Sequence, residues 1–385
     1  MDIVNFAGMV ELSNRYLFES IDADLGEKMV FLSGPRQVGK TTLALQLIGT
    51  TDPRHPAYLS WDDVRARPRI REGAMPAEAP RIILDEIHKY ARWRGLVKGL
   101  FDTRAPGQSF IVTGSARLDV YRQGGDSLHG RYHPYRLHPL SLPELGGGAD
   151  SLPALLRFGG FPEPLLRGSE RVWRRWQRER TDRIVRDDVR DLERVREISL
   201  IELLVEALPS RVGSPLSVKK LREQLEVAHD TAERWLGILE NLYVCFRIAP
   251  FGSSRIRAVK KERKLYLWDW SVVPDAGARL ENLVASHLLK WCHFREDTEG
   301  VRMELRFLRD TDAREVDFVV VEGKKALFAV EVKTGERQLS PAVRYFKART
   351  SIPRWYQVHL GSEDRVVDGV RIAPFAAFCK DVGLV

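Results

Sequence analysis

The string Gly34-Pro35-Arg36-Gln37-Val38-Gly39-Lys40-Thr41 constrains this chain more than any other feature. It follows an apolar run, Met29-Val30-Phe31-Leu32, and leads into Thr42-Leu43-Ala44, a helix-forming start. It satisfies G-x-x-x-x-G-K-[ST], in which glycines let the backbone turn tightly enough for N–H groups to converge on phosphate oxygens at a helix N-terminus. A lysine at the position of Lys40 reaches the β and γ phosphates, and a hydroxyl at Thr41 takes a Mg²⁺ position. Residues Gly34 to Thr42 are therefore the expected ATP-binding loop. A chain built this way must place a strand, a loop and a helix in succession, as in a parallel α/β sheet.

Such a loop needs an acidic partner, and Arg81-Ile82-Ile83-Leu84-Asp85-Glu86 supplies one about 45 residues on, at the end of another apolar run. Asp85 is expected to hold the Mg²⁺ shell and Glu86 to orient and polarise the attacking water. The run Phe110 to Thr113 ends in Thr113-Gly114-Ser115. A hydroxyl there, from Thr113 or Ser115, is a candidate to sense the γ-phosphate; the plainer alternative is turn chemistry at a strand end.

Length and composition bound the rest. At 385 residues, two to four domains are expected; 44% hydrophobic and 30% charged residues fit a soluble globular protein. No run of about 18 apolar residues is present, so no membrane span is expected. The first residues lack a signal-peptide layout, and three scattered cysteines suit a reducing cytoplasm. The net charge of +8 is concentrated: Arg255, Arg257, Lys260, Lys261, Arg263 and Lys264 face one acid, Glu262, within ten residues.

Four regions follow from the patterning: an ATPase domain over 1–148, ending at the Gly146-Gly147-Gly148 run, a helical lid over 149–213, a winged helix over 214–267 and a second α/β domain over 268–385. In the third region, Ser217 to Leu225 reads as one helix and Asp230 to Leu242 as a second. The stretch from Tyr243 through the basic run reads as the wing. The second helix of such a module enters the major groove while the wing contacts phosphate, so His229, Thr231, Arg234 and the six basic residues are candidate DNA contacts. A helical packing module without DNA contact is the alternative. The Arg171 to Arg196 piece, with Trp173 and Trp176 among arginines and acids, is read as a salt-bridged solvated helix, with a nucleic-acid surface the alternative.

The motifs Gly-Pro-Arg-Gln-Val-Gly-Lys-Thr-Thr-Leu, Leu-Asp-Glu-Ile-His-Lys with Trp93, and Val-Thr-Gly-Ser-Ala-Arg-Leu resemble those of a family of prokaryotic AAA+ ATPases. So do Ser127-Leu128-His129-Gly130-Arg131, Pro139 to Leu145 and Gly159-Gly160-Phe161-Pro162-Glu163. The resemblance spans essentially the whole chain and implies a C-terminal domain with a restriction-endonuclease-like fold. It also implies an arginine that completes a neighbouring subunit's site, for which Arg131 is the candidate against a structural ion pair.

Glu281, Asp317, Glu331 and Lys333 form a second constellation. Alternation puts Glu331 and Lys333 on one face of a strand, and a hairpin brings Asp317 beside them. The set resembles the PD-(D/E)XK nuclease pattern. That resemblance implies Asp317 and Glu331 as Mg²⁺ ligands, Glu281 as an added ligand and Lys333 positioning the water. A surface ion pair, or a nuclease fold kept for binding or assembly, explains the same residues.

The expectation is thus a Mg²⁺-dependent ATPase acting on DNA as a homo-oligomer, with a nuclease-like domain whose cleavage is left open. The alternative is a switch ATPase with a protein partner, in which the C-terminal domain is a scaffold.

Overall fold

The computed structural model describes residues 15–114, 128–189, 198–252 and 263–385. Two compact units are present, one ending at His138 and one running from Pro139 to Val385.

The first unit is built on a sheet of five parallel strands: β1 (Met29–Ser33), β2 (Tyr58–Ser60), β3 (Arg81–Asp85), β4 (Ser109–Thr113) and β5 (Tyr132–Arg136). Their order across the sheet is β2-β3-β4-β1-β5. β1 and β4 are buried at every residue, the pattern of strands covered on both faces, which is why they read as continuous apolar runs rather than alternations. The helix Trp93–Asp102 buries Trp93, Val97 and Leu100, one stripe at helical spacing, against a core that includes Phe31, Leu84, Phe110 and Val112.

The second unit opens with the helices Leu152–Phe158, Pro162–Arg167 and Glu170–Arg183. Of the interleaved aromatics, Trp176 is buried against Phe161, and Trp173 Nε1 donates to Ser271 Oγ at 2.9 Å. Neither ring is a free stacking platform. The helices Val218–Leu225 and His229–Asn241 follow, then an antiparallel pair, β6 (Cys245–Pro250) and β7 (Lys264–Leu267). Ser217 caps the first of these helices by accepting from the Lys220 N–H. Arg247 on β6 bonds both Glu233 and Glu240, so the strand is pinned to the second helix.

That hairpin joins a larger sheet. Strands β8 (Met303–Arg309), β9 (Glu315–Glu322), β10 (Lys325–Val332), β11 (Arg354–His359), β12 (Arg365–Val367) and β13 (Val370–Pro374) complete an eight-stranded order, β12-β13-β11-β10-β9-β8-β6-β7. The 24-residue helix Ala276–Glu299 starts at Asp275, whose carboxylate caps the Ala278 N–H, and ends at Gly300 with φ 70°. Its Asn282 amide both accepts from Leu267 N–H and donates to Leu267 O, clamping β7 to the helix. Among the described residues no helix is long and apolar enough to cross a membrane.

His287 on the same helix is buried, with Nδ1 on Leu283 O and Nε2 accepting from the Leu142 N–H. Accepting at Nε2 requires the neutral ring, and burial pushes its pKa down to about 3, helped by Lys290 and opposed by the Leu283 carbonyl and Glu144. With the folded pKa below the unfolded one, the unfolded chain binds the extra proton. This histidine's contribution is full above about pH 6.5 and is lost on acidification toward 3, at up to ~1.4 kcal/mol per pH unit. Chemical denaturation at pH 7.5 and 5.0 should show a shallower acid loss in His287→Gln than in the wild type; equal losses would contradict the assignment.

Candidate functional site

The loop after β1 takes the shape a phosphate cradle needs. Gly34 has φ 147°, and a Cβ there would lie 2.4 Å from Leu137 O, so only glycine lets the loop pass this backbone. Gly39 caps the helix Lys40–Leu47 in the left-handed region at φ 99°. Lys40 is 8% exposed and its Nζ donates to Gly34 O at 2.9 Å and Pro35 O at 2.7 Å, so the ammonium lies inside the loop's own curve. Arg15 braces the loop from beneath, donating to Val38 O at 2.8 Å and His138 O at 2.5 Å. Nothing local in the sequence marks Arg15, because its partners lie 23 and 123 residues away.

Opposite stands Asp85 at the end of β3, buried and in register with Ser60 on one side and Thr113 on the other. Its carboxylate accepts from the Tyr58 hydroxyl at 2.6 Å and from the Thr113 hydroxyl. Burial raises the Asp85 pKa, while the two hydroxyl bonds pull it back down. The Thr113 hydroxyl thus orients Asp85, and Tyr58 joins the site although nothing local in the sequence marks it. Glu86 follows in the left-handed region at φ 54°, which turns its side chain off the strand direction. Its Oε2 makes no hydrogen bond and lies 3.5 Å from His88 Nε2 and 3.6 Å from Lys89 Nζ.

These residues fit a Mg²⁺-bound nucleotide. The loop supplies a left-handed turn into a helix N-terminus and an enclosed ammonium, and Asp85 is a buried carboxylate steadied by neutral hydroxyls. Ser115 lies outside the described residues. Arg131 forms a two-pronged pair with Asp102 of its own chain, Nε to Oδ1 at 2.8 Å and Nη2 to Oδ2 at 3.2 Å. The ion-pair reading of Arg131 is the one this arrangement favours.

The second constellation also assembles, but around an unexpected centre. Glu281 on the helix Ala276–Glu299, Asp317 on β9 and Glu331 on β10 converge with Lys333, whose Nζ donates to Glu331 Oε1 at 2.6 Å. In their midst is Lys264 of β7, with no exposed surface, its Nζ 2.9 Å from Glu281, 2.6 Å from Glu315 and 3.4 Å from Asp317. Expecting Lys264 to contact DNA was wrong. Its strand pairs with β6 and is clamped by Asn282, which turns the side chain inward, while neighbouring Arg263 is exposed. Burial alone would lower the Lys264 pKa; Asp317, Glu281 and Glu315 together outweigh it and hold the group well above the ordinary lysine range. Glu281 and Glu331 are both raised, first by burial and then by the Asp317 charge. Glu315 and Tyr266, whose hydroxyl donates to Glu281 at 2.7 Å, belong to the cluster too.

Of the candidate DNA contacts, His229 and Arg234 lie on the exposed side of the helix His229–Asn241, with Thr231 half-buried. Arg255, Arg257, Lys260 and Lys261 fall outside the described residues.

Comparison with known proteins bears on the N-terminal part of the chain. Residues 26–146 match an AAA domain, whereas 149–281 and 276–378 match two domains of unknown function, DUF8612 and DUF4143. An uncharacterized protein of Methanocaldococcus jannaschii is 23% identical over 83% of this chain and 78% of its own length. One from Mycobacterium tuberculosis is 26% identical over 63% of this chain and 54% of its own. Among solved structures, the Thermotoga maritima RuvB Holliday junction branch migration motor has 18% identity and a TM-score of 0.31, covering 60% of this chain and 87% of its own. The Aeropyrum pernix Orc1 protein in complex with DNA has 15% identity, a TM-score of 0.31 and coverages of 73% and 95%. Both likenesses are too distant to carry an argument. The match over 26–146, on a parallel sheet that brings Lys40 and Asp85 to one end, makes the N-terminal part of this chain an AAA-type ATPase domain.

Proposed function

We propose that the chain hydrolyses ATP with Mg²⁺ at the Gly34–Thr41 loop and acts on DNA through its helix-and-hairpin module, residues 214–267. The observation that carries the first half is Asp85, held by Tyr58 and Thr113 at the sheet end where Lys40 sits. Bound Mg²⁺ would supply a charge that spreads the developing negative charge on the transferred phosphoryl group. Lys40, released from the Gly34 and Pro35 carbonyls, would turn its ammonium to the phosphate oxygens. Thr41 and Asp85 would hold the metal's shell. Glu86, at its turned position, would accept the proton of the attacking water and aim it in line.

The second half rests on the exposed His229 and Arg234 at the start of the module's second helix, with exposed Arg263 at the base of a hairpin whose sequence is strongly basic. A protein-partner switch uses the same ATPase and is separated from this reading by charge. Reversing Arg257, Lys260, Lys261 and Arg263 to Glu should weaken DNA binding at least about tenfold at 50 mM salt. It should also flatten the salt dependence by about one unit of slope for each phosphate that is no longer neutralised. Gel-shift titrations at several salt concentrations check this. Binding that ignores both salt and the four reversals would sink the DNA reading.

A further inference from the structure

Four carboxylates (Glu281, Glu315, Asp317 and Glu331) meet in the C-terminal unit, and the nuclease-like pattern implies that some of them hold a divalent cation. The donor set does not fit that ion. Lys264 Nζ is within 3.4 Å of three of the four, and Glu281 Oε1 is shared by Lys264 and Tyr266. The other Glu281 oxygen lies beside Gly213, whose missing side chain leaves it room. Asp317 uses one oxygen on Lys264 and the other on the Val332 N–H at 2.8 Å. Glu315 has a second cation, Arg309 Nη1, at 2.7 Å. Only Glu331 keeps a buried oxygen without a partner. Mg²⁺ keeps several waters and is commonly held by one or two carboxylates, so ligand number is not what bars it; the bar is the ammonium already standing among Glu281, Glu315 and Asp317. Among the described residues no group of three or more acidic, histidine or cysteine side chains is arranged to hold a metal.

Charge gives the same answer. Lys264, Lys333 and Arg309 already set three positive charges against four carboxylates, so little unbalanced field is left to strip water from a dication. We propose that Lys264 is the chain's own cation in this nuclease-like site. Its ammonium occupies the centre of Glu281, Glu315 and Asp317 in place of a divalent ion. The site consequently does not cleave phosphodiesters, and it serves to lock β7, and with it the basic hairpin, onto the C-terminal sheet. The inference is independent of whether the ATPase acts on DNA.

Mn²⁺ titration of the nucleotide-free full-length chain, read from the free-ion paramagnetic resonance signal, tests this. Wild type and Asp317→Asn should retain equal Mn²⁺. Lys264→Ala should gain about one ion per chain, and the gain should vanish in the Lys264→Ala/Asp317→Asn double variant. Supercoiled plasmid in Mg²⁺ or Mn²⁺ should be nicked no faster by wild type than by Lys333→Ala. A wild-type Mn²⁺ site lost in Asp317→Asn, or Lys333-dependent nicking, overturns the proposal. So does a folded Lys264→Ala that gains no ion. Should Lys264→Ala fail to fold, the wild-type and Asp317→Asn comparison decides alone.

Discussion

Lys40→Ala is expected to lower ATP turnover by at least about a hundredfold, the size of effect seen when one preorganised donor to a developing charge is removed. Two losses combine. The ammonium that would meet the β and γ phosphates is gone, and so are the bonds to Gly34 O and Pro35 O that hold the loop's curve in the resting chain. The side chain is almost wholly enclosed. Arginine at this position should fail as well, because a planar guanidinium cannot take the place of a compact ammonium bonded to both Gly34 O and Pro35 O. Phosphate release by purified wild type and variant, with matched melting curves, measures the effect. Undiminished turnover in Lys40→Ala would end the assignment of this loop.

The second large effect separates binding from chemistry. Glu86→Gln keeps the size and polarity of the side chain at its left-handed position but removes the group that accepts a proton. Turnover should fall by about 10² to 10⁴, while affinity for a fluorescent ATP analogue stays within a few-fold. Asp85→Asn should behave differently. Asp85 is buried beneath the Tyr58 and Thr113 hydroxyls, and its charge is what a metal would meet, so Mg²⁺-dependent binding itself should weaken. A Glu86→Gln chain that turns over normally, or that no longer binds nucleotide, would move the water-activating role elsewhere.

What the sequence made legible was local. Gly34 to Thr41 is one contiguous string whose geometry follows from its glycines, and β1, β3 and β4 announce themselves as unbroken apolar runs. Arg15 and Tyr58 were illegible because each acts on a partner far along the chain: Val38 and His138 for the first, Asp85 for the second. Strand β8 carried a readable signal, since Met303, Leu305 and Phe307 alternate inward, but it was missed between the longer helix and hairpin patterns. Lys264 is the instructive error. In sequence it is the last of six basic residues; in space its side chain turns inward while Arg263 beside it is exposed, because β7 is wedged between β6 and the helix bearing Asn282 and Glu281. Runs of like charge predict a surface only until one of their members enters a strand, where alternate side chains face opposite sides.

The same residue alters what the C-terminal unit contributes. Glu281, Asp317, Glu331 and Lys333 do come together, yet Glu281 and Asp317 close, with Glu315, on the Lys264 ammonium, while Glu331 pairs with Lys333. On the proposed reading, hydrolysis belongs to the Gly34–Thr41 loop and the C-terminal cluster holds β7 in place.

The most direct test is the steady-state ATP turnover of the full-length chain with Mg²⁺ at low salt, measured alone and with duplex, forked and single-stranded DNA. The account predicts turnover that is lost in Lys40→Ala and that changes several-fold with at least one DNA form, the change disappearing when Arg257, Lys260, Lys261 and Arg263 are reversed. Turnover that depends on Lys40 but ignores every DNA form would contradict it and assign the ATPase to a protein partner.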